Sequence, residues 1–167
     1  MSSSPLEGPG LLRHTFRNPD GSWQPVFGLI ESQEQNDPGA FSDISCAGVA
    51  DQLHVIGSAG GQLWHTFRNP NGSWQPVFGL IESQEQNDPG AFSAVSCAMF
   101  SAAFDALFQL HVIGIAGGQL WHAIRNLDGS WQPVFGLIES QEQNNPGAFS
   151  AISCSQQGDQ LHVVGIA

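Results

Sequence analysis

Hydrophobic and polar residues alternate in short runs that recur three times along the chain. In the central copy the runs cover 40–47, 52–59, 62–68 and 73–81, and segments rich in Gly, Asn or Asp separate them. Alternation with a period of two between such segments is typical of β-strands joined by tight turns. The pattern therefore predicts an all-β chain of four-stranded antiparallel meanders.

The repeat length indicates propeller blades. Trp23 and Trp74 are 51 residues apart, and Trp74 and Trp131 are 57 apart. Strand repeats of about 40 to 50 residues are typical of β-propellers. We expect an N-terminal tail at 1–10 and three repeats at about 11–61, 62–118 and 119–167.

An apolar insertion accounts for the longer second interval. It lies in MFSAAFDALF (99–108), where the other copies have short turns. We expect Phe100, Phe104 and Phe108 to pack on a neighbouring surface or at an interface.

The order of the runs predicts which strand lies at the centre of each blade. AFSDISCA (40–47) and its copies carry small side chains, which suit the narrow axis of a propeller. The run SWQPVFGLI carries proline, which is tolerated in an edge strand. The chain then begins with two outer strands (11–30) and ends with two inner strands (148–167).

Half-blades at both ends predict association between copies. Two inner strands without outer partners leave an unpaired edge, and three blades are too few to close a ring. We predict a head-to-tail exchange between identical chains, which gives six blades in a dimer or, alternatively, nine in a trimer.

Charge restricts the partners. The chain has no lysine, four arginines, fifteen acidic residues and a formal net charge of −11. Binding to nucleic acids or anionic membranes is therefore not expected. A basic start with an apolar run is absent from the first ten residues, and no apolar stretch approaches the roughly 20 residues that span a bilayer. We expect a protein that is cytoplasmic or is released without a signal peptide.

A known family carries a similar repeat. QLHVIG…GGQLWHTFRNPNGSWQPVFG followed by PGAFSAVSC resembles the PLL-type bacterial lectins and the Psathyrella lectin-like, tectonin-related β-propeller family. The resemblance covers 11–167 and recurs three times. It implies a propeller that binds monosaccharides, commonly fucose or N-acetylglucosamine, in clefts between blades. This chain differs in encoding three blades rather than seven, and it contains no tyrosine.

Each repeat offers a set of residues suited to sugars. An aromatic face packs on the apolar C–H patch of a sugar, while planar polar groups meet its hydroxyls. The candidate residues are Trp64, Trp121, His14, His65, His122, Arg17, Arg68, Arg125, Asn69, Asn126, Trp23, Trp74, Trp131 and Gln75. Arg13 occupies the position of Trp64 and Trp121, so the first site is expected to differ in affinity. Repeated weak sites would act together by avidity.

Structural roles explain many of the same residues. The tryptophan of each GSW segment is also typical of packing between blades, and the arginines could pair with the acidic crossing segments. His54, His111 and His162 are interpreted as core or hydrogen-bonded histidines. Two other functions stay open: a protein-interaction scaffold that uses the faces of the ring and the insertion, and an amplified or engineered propeller without a ligand.

Enzymatic and metal chemistry are not expected. Every candidate acid, base or nucleophile occurs in triplicate, and no GxSxG, HExxH or phosphate-loop motif is present. We expect no cofactor, with calcium at Glu31, Glu34 and Asp37 and their copies as the alternative, although their spacing is not that of an EF-hand. The three cysteines are predicted to be buried core residues without disulfides.

Overall fold

A computed structural model describes residues 10–31, 35–84, 86–101, 108–141, 144 and 146–167. Within these residues the regular structure consists of twelve β-strands and two short 3₁₀ turns, Glu82–Gln84 and Ile138–Gln141. The strands are β1 Arg13–His14, β2 Gly28–Leu29, β3 Phe41–Val49, β4 Gln52–Ala59, β5 Gln62–Arg68, β6 Gly79–Leu80, β7 Phe92–Ser101, β8 Phe108–Ala116, β9 Gln119–Arg125, β10 Gly136–Leu137, β11 Ala151–Gln157 and β12 Gln160–Ile166. The predicted all-β class is confirmed.

The strands form four antiparallel sheets in chain order. Sheet 1 is β1-β2, sheet 2 is β3-β4-β5-β6, sheet 3 is β7-β8-β9-β10 and sheet 4 is β11-β12. Each four-stranded sheet is a meander, as the alternating pattern predicts. In the described part of the chain, the two strands of sheet 1 are equivalent in sequence to the third and fourth strands of a complete sheet. The two strands of sheet 4 are equivalent to the first and second strands.

The fourth strand is much shorter than predicted. The run 73–81 contributes one isolated bridge, Arg68↔Trp74, and the two-residue strand β6. Pro76 lacks an N–H and cannot donate to the ladder. The side-chain amide of Gln75 donates hydrogen bonds to the carbonyls of His65 and Val77 at 2.9 and 2.6 Å instead. A side chain therefore replaces part of the backbone ladder at this edge.

The first strands of consecutive sheets lie side by side, β3 beside β7 and β7 beside β11. Backbone N–H groups of one strand donate to side chains of the preceding one. Val95 N lies 2.7 Å from Asp43 Oδ2, and Cys97 N lies 2.9 Å from Ser45 Oγ. The small residues predicted for this position permit the close approach.

The cysteines correct one prediction. All three are free, but only Cys97 is buried, whereas Cys154 is half-buried and Cys46 is exposed. Cys46 lies on β3, which has no preceding inner strand to cover it. Burial raises the pKa of the Cys97 thiol to about 12, so that side chain is a neutral packing residue at pH 7.

Hydrophobic clusters fill the space between consecutive sheets. Leu12 and Ile30, which flank the strands of sheet 1, pack in one cluster with Val55 of β4 and with Phe78, which precedes β6. Two further clusters lie between sheets 2 and 3 and between sheets 3 and 4. The core is thus a series of layers that repeats with the sequence.

A contact between a phenylalanine and a glycine recurs in sheets 2, 3 and 4, where the phenylalanine lies at or just before the start of the first strand and the glycine lies on the second. The rings of Phe41, Phe92 and Phe149 lie directly over Gly57, Gly114 and Gly165. A Cβ atom at Gly114 would lie 2.5 Å from Cδ1 of Phe92. Glycine is required at these positions because a side chain would overlap the ring.

The insertion lengthens one hairpin. Met99, Phe100 and Ser101 pair with Leu110, Gln109 and Phe108 at the ends of β7 and β8. The ring of Phe100 packs on His111 with centroids 5.1 Å apart. Phe104 lies outside the described residues, so the predicted packing of its ring stays a prediction.

No helix among the described residues is long and apolar enough to cross a membrane.

Candidate functional site

Alternation along β5 divides the predicted site residues between two junctions. His65 and Phe67 point toward sheet 3, since the His65 ring contacts Trp131 and Arg125 covers Phe67. Arg68 points the other way, because its guanidinium covers Phe16 of sheet 1. We call the space between sheets 1 and 2 junction 1/2, and that between sheets 2 and 3 junction 2/3.

Two pairs of side chains meet across junction 1/2: His14 meets Trp74, and Phe16 meets Arg68. The rings of His14 and Trp74 meet edge to face, with centroids 5.4 Å apart and an interplanar angle of 82°. Arg68 Cζ lies 5.4 Å from the centroid of Phe16. Guanidinium groups at this distance over an aromatic ring are stabilised by cation–π attraction.

Junction 2/3 repeats the arrangement. The rings of His65 and Trp131 are 5.6 Å apart at 82°, and Arg125 Cζ lies 5.6 Å from the centroid of Phe67. The two junctions thus place equivalent side chains in nearly the same geometry. Each combines two aromatic rings, an imidazole and a guanidinium.

A pair of histidines lies behind each WH position in sheets 2 and 3. His54 Nδ1 is 2.9 Å from His65 Nε2, and His111 Nδ1 is 2.8 Å from His122 Nε2. One neutral imidazole donates to the other in each pair. Burial, assisted by Arg125, lowers the pKa of His54 to about 4 and that of His65 well below its usual value. His54 and His111 are therefore hydrogen-bonded structural residues, as one interpretation of the sequence predicted.

These pairs predict a loss of stability in acid. In the unfolded chain histidines take up protons below about pH 6.5, whereas in the folded chain His54 and His111 stay neutral down to about pH 4. The free energy of unfolding should therefore fall as the pH drops from 6.5 to 4, by on the order of 2 kcal/mol for each of these two histidines. Urea unfolding at a fixed chain concentration and a series of pH values measures this slope. In His54→Gln the slope should be shallower, and an unchanged slope would contradict the assignment.

The predicted polar sugar ligands already have protein partners. Gln75 donates to the two carbonyls of the outer edge. Asn69 Nδ2 donates to Ser73 Oγ at 3.1 Å, and Asn69 Oδ1 accepts from Gln52 at 3.1 Å. Asn126 makes the equivalent bonds to Ser130 and Gln109. These side chains fix the turns at the rim of the sheets, which leaves the arginines and indoles as the groups that could face a ligand.

The tryptophans fall into two environments. Trp64 and Trp121 pack against the hydrophobic clusters. The N–H of each indole is shielded from solvent and has no hydrogen-bond partner among the residues that the structure describes. Trp121 and Trp131 are both half-buried against the cluster of junction 2/3. Trp131 is the one whose ring also meets the ring of His65 across that junction.

The remaining candidates lie apart at the ends of the chain. Trp23 is 60% exposed, although its equivalent Trp74 is 9% exposed. Arg13 and Arg17 are also exposed. His122 is paired with His111 but has no tryptophan opposite it among the described residues. The third set predicted from sequence is thus divided between the two ends of the molecule.

Two of the carboxylates of the calcium alternative accept hydrogen bonds from backbone N–H groups. Within the described ranges no group of three or more His, Cys, Asp or Glu side chains could hold a metal ion. Glu31 Oε1 accepts a hydrogen bond from Leu12 N at 2.6 Å, and Asp37 Oδ1 accepts one from Gly39 N at 2.8 Å. Glu34 lies outside the described residues.

Sequence reasoning missed Phe16, Phe67 and the pairing of His54 with His65. The signal was available, because residues two apart on a strand share a face. In the segment HTFR that rule places the phenylalanine beside the histidine.

No protein-family model and no curated protein matches this chain.

Proposed function

We propose that the chain is a multivalent carbohydrate-binding lectin, with sites for monosaccharides of the fucose or N-acetylglucosamine type at the junctions between sheets. The observation that carries the proposal is the recurrence of one aromatic–guanidinium set at junctions 1/2 and 2/3. Indole faces bind the apolar side of a pyranose, and guanidinium groups donate to its hydroxyls. The resemblance of the repeats to propeller lectins supports the same conclusion.

The proposal includes a β-propeller that copies of the chain close together. Closure is supported by a difference in solvent exposure between equivalent positions of the repeats. Phe27 is 63% exposed, whereas Phe78 and Phe135 are each 3% exposed. Val164 is 71% exposed, whereas its equivalents Ile56 and Ile113 are fully buried. Each terminal half-sheet exposes the side chains that complete sheets bury. Two chains would give six blades and three would give nine.

Ring closure would multiply the sites. Every chain contributes junctions 1/2 and 2/3, and each contact between chains adds a third. Several weak sites on one rigid body bind a multivalent glycan surface far more tightly than one site does.

Isothermal titration with L-fucose, N-acetylglucosamine and O-methylated sugars tests the proposal. Trp131→Ala removes the indole of junction 2/3, so we expect the number of sites to fall by one for each chain. Trp131→Phe should retain the site with weaker affinity, because an aromatic face remains.

Val134→Ala is the matched control. Val134 lies three residues from Trp131 on the exposed outer edge, and we expect its truncation to leave the titration unchanged. If none of these sugars releases or absorbs heat with the intact chain, the proposal of a lectin of this specificity is wrong.

A further inference from the structure

Two histidines at opposite ends of the chain occupy the positions of a histidine pair. His162 is equivalent to His54 and His111, and His14 is equivalent to His65 and His122. The internal pairs lie on the adjacent strands β4 and β5 and on β8 and β9. In the described part of the chain, His162 lies on β12, which pairs only with β11, and His14 lies on β1, which pairs only with β2. His162 is exposed.

The register of the complete sheets places these residues together. In sheet 2, Ile56 is opposite His65 and His54 is opposite Phe67. In sheet 3, Ile113 is opposite His122. The same register on the free edge of β12 brings Val164 opposite His14 of a second copy. His162 then faces Phe16 of that copy, with the imidazoles in the internal arrangement.

A second set of contacts points to the same docking. The amide of Asn36 bonds to both the N–H and the carbonyl of Phe78, at 2.8 and 3.0 Å. Asn87 holds Phe135 in the same way, at 2.7 and 3.1 Å. Asn144 is the next equivalent asparagine, and Phe27 is the remaining phenylalanine. The exposed Phe27 of a second copy would therefore meet Asn144.

The charges around the pair oppose its protonation. Burial and the nearby Arg68 guanidinium lower the pKa of His14, whose ring also packs on Phe16 and Trp74. In the internal pair, burial and the nearby Arg125 lower the pKa of both His54 and His65. A guanidinium beside two buried imidazoles raises the cost of adding a proton.

We infer that a second copy binds the free edge of β12 and that Nε2 of its His14 pairs with Nδ1 of His162, so that association between copies weakens in acid. The inference rests on the proposed ring closure. Joining would bury both imidazoles against each other as a neutral pair, and burial opposes the addition of a proton, so protons favour the separated chains. Lower pH also reduces the net negative charge, which by itself favours association, so acid dissociation would have the opposite sign to that general effect.

Sedimentation of the full chain at pH 7.5 and pH 5.0 tests the inference. We expect the dissociation constant of the assembly to rise at least about 10-fold at pH 5.0. The far-ultraviolet circular dichroism should stay unchanged, because burial lowers the pKa of every histidine in the internal pairs. The pKa is about 4 for His54 and His111, and it is also lowered for His65 and His122. His162→Gln keeps a hydrogen-bonding side chain that does not titrate, so its association should depend much less on pH. His54→Gln, which changes an internal pair, should retain the wild-type dependence.

The outcomes separate this inference from the proposed function. Association that is equally strong at both pH values, or a His162→Gln variant with the wild-type dependence, overturns the intermolecular pair but not the ring. A chain that is monomeric at pH 7.5 overturns both the pair and ring closure. Sugar binding at junction 2/3 is measured by its own titration in either case.

Discussion

Val164→Asp is expected to leave the separate chain folded and to abolish its association with other copies. Val164 is 71% exposed in the single chain, so a carboxylate there remains in water. In the proposed assembly it would occupy the position of Ile56 and Ile113, which are fully buried. Burying an unpaired charge costs several kcal/mol, which corresponds to more than about 100-fold in affinity. Light scattering coupled to size exclusion measures the change.

Val26→Asp provides the matched control. Val26 is also 71% exposed, but its equivalents Val77 and Val134 are still 44% exposed in the complete sheets. The same substitution at this position should therefore leave association within about threefold of the wild type, because the carboxylate stays in water. Equal behaviour of the two variants would show that copies do not meet at the edge of β12.

Gly114→Ala is expected to destabilise the fold by about 1–3 kcal/mol or more. Its Cβ would lie 2.5 Å from Cδ1 of Phe92 and 3.4 Å from Cδ1 of Leu63. Both neighbours belong to the buried cluster between sheets 2 and 3, so neither can move without disturbing the core. Overpacking of this kind costs about 1–3 kcal/mol or more. Urea unfolding followed by tryptophan fluorescence measures the loss.

Gly48→Ala is the control for that substitution. A Cβ built at Gly48 has no atom of the described residues within 4 Å, and the backbone there has no positive φ. Alanine is favoured over glycine inside a strand by about 0.5–1 kcal/mol. We therefore expect Gly48→Ala to be neutral or slightly stabilising, and a loss as large as that of Gly114→Ala would contradict the role of the phenylalanine contact.

Much of the fold followed from local rules. Period-two alternation, Asn-Gly turns and paired glycines predict the four strands of each repeat and their order. The fourth strand was predicted too long because alternation continues through 73–81, although Pro76 cannot donate to the ladder. The replacement of backbone bonds by the amide of Gln75 depends on a side-chain conformation that no hydropathy pattern encodes.

The candidate site was less predictable. Alternation fixes which side chains share a face, and it correctly groups Arg68 with Trp64 and His65 with Phe67. It does not fix which residues of the next sheet lie opposite, because that depends on the packing of two sheets. The commitment of Asn69 and Asn126 to their own turns was missed for the same reason, since the composition of a turn resembles that of a sugar site.

The exposed edges of sheets 1 and 4 have a consequence for concentrated solutions if copies join there as proposed. Each molecule would then resemble a monomer with two reactive ends, as in polymer chemistry. Such units form closed cycles when dilute, provided that the angle between units permits it, and open fibres when cyclisation is strained or loses to intermolecular encounter. The angle between successive sheets would therefore set the boundary between a finite particle and a gel.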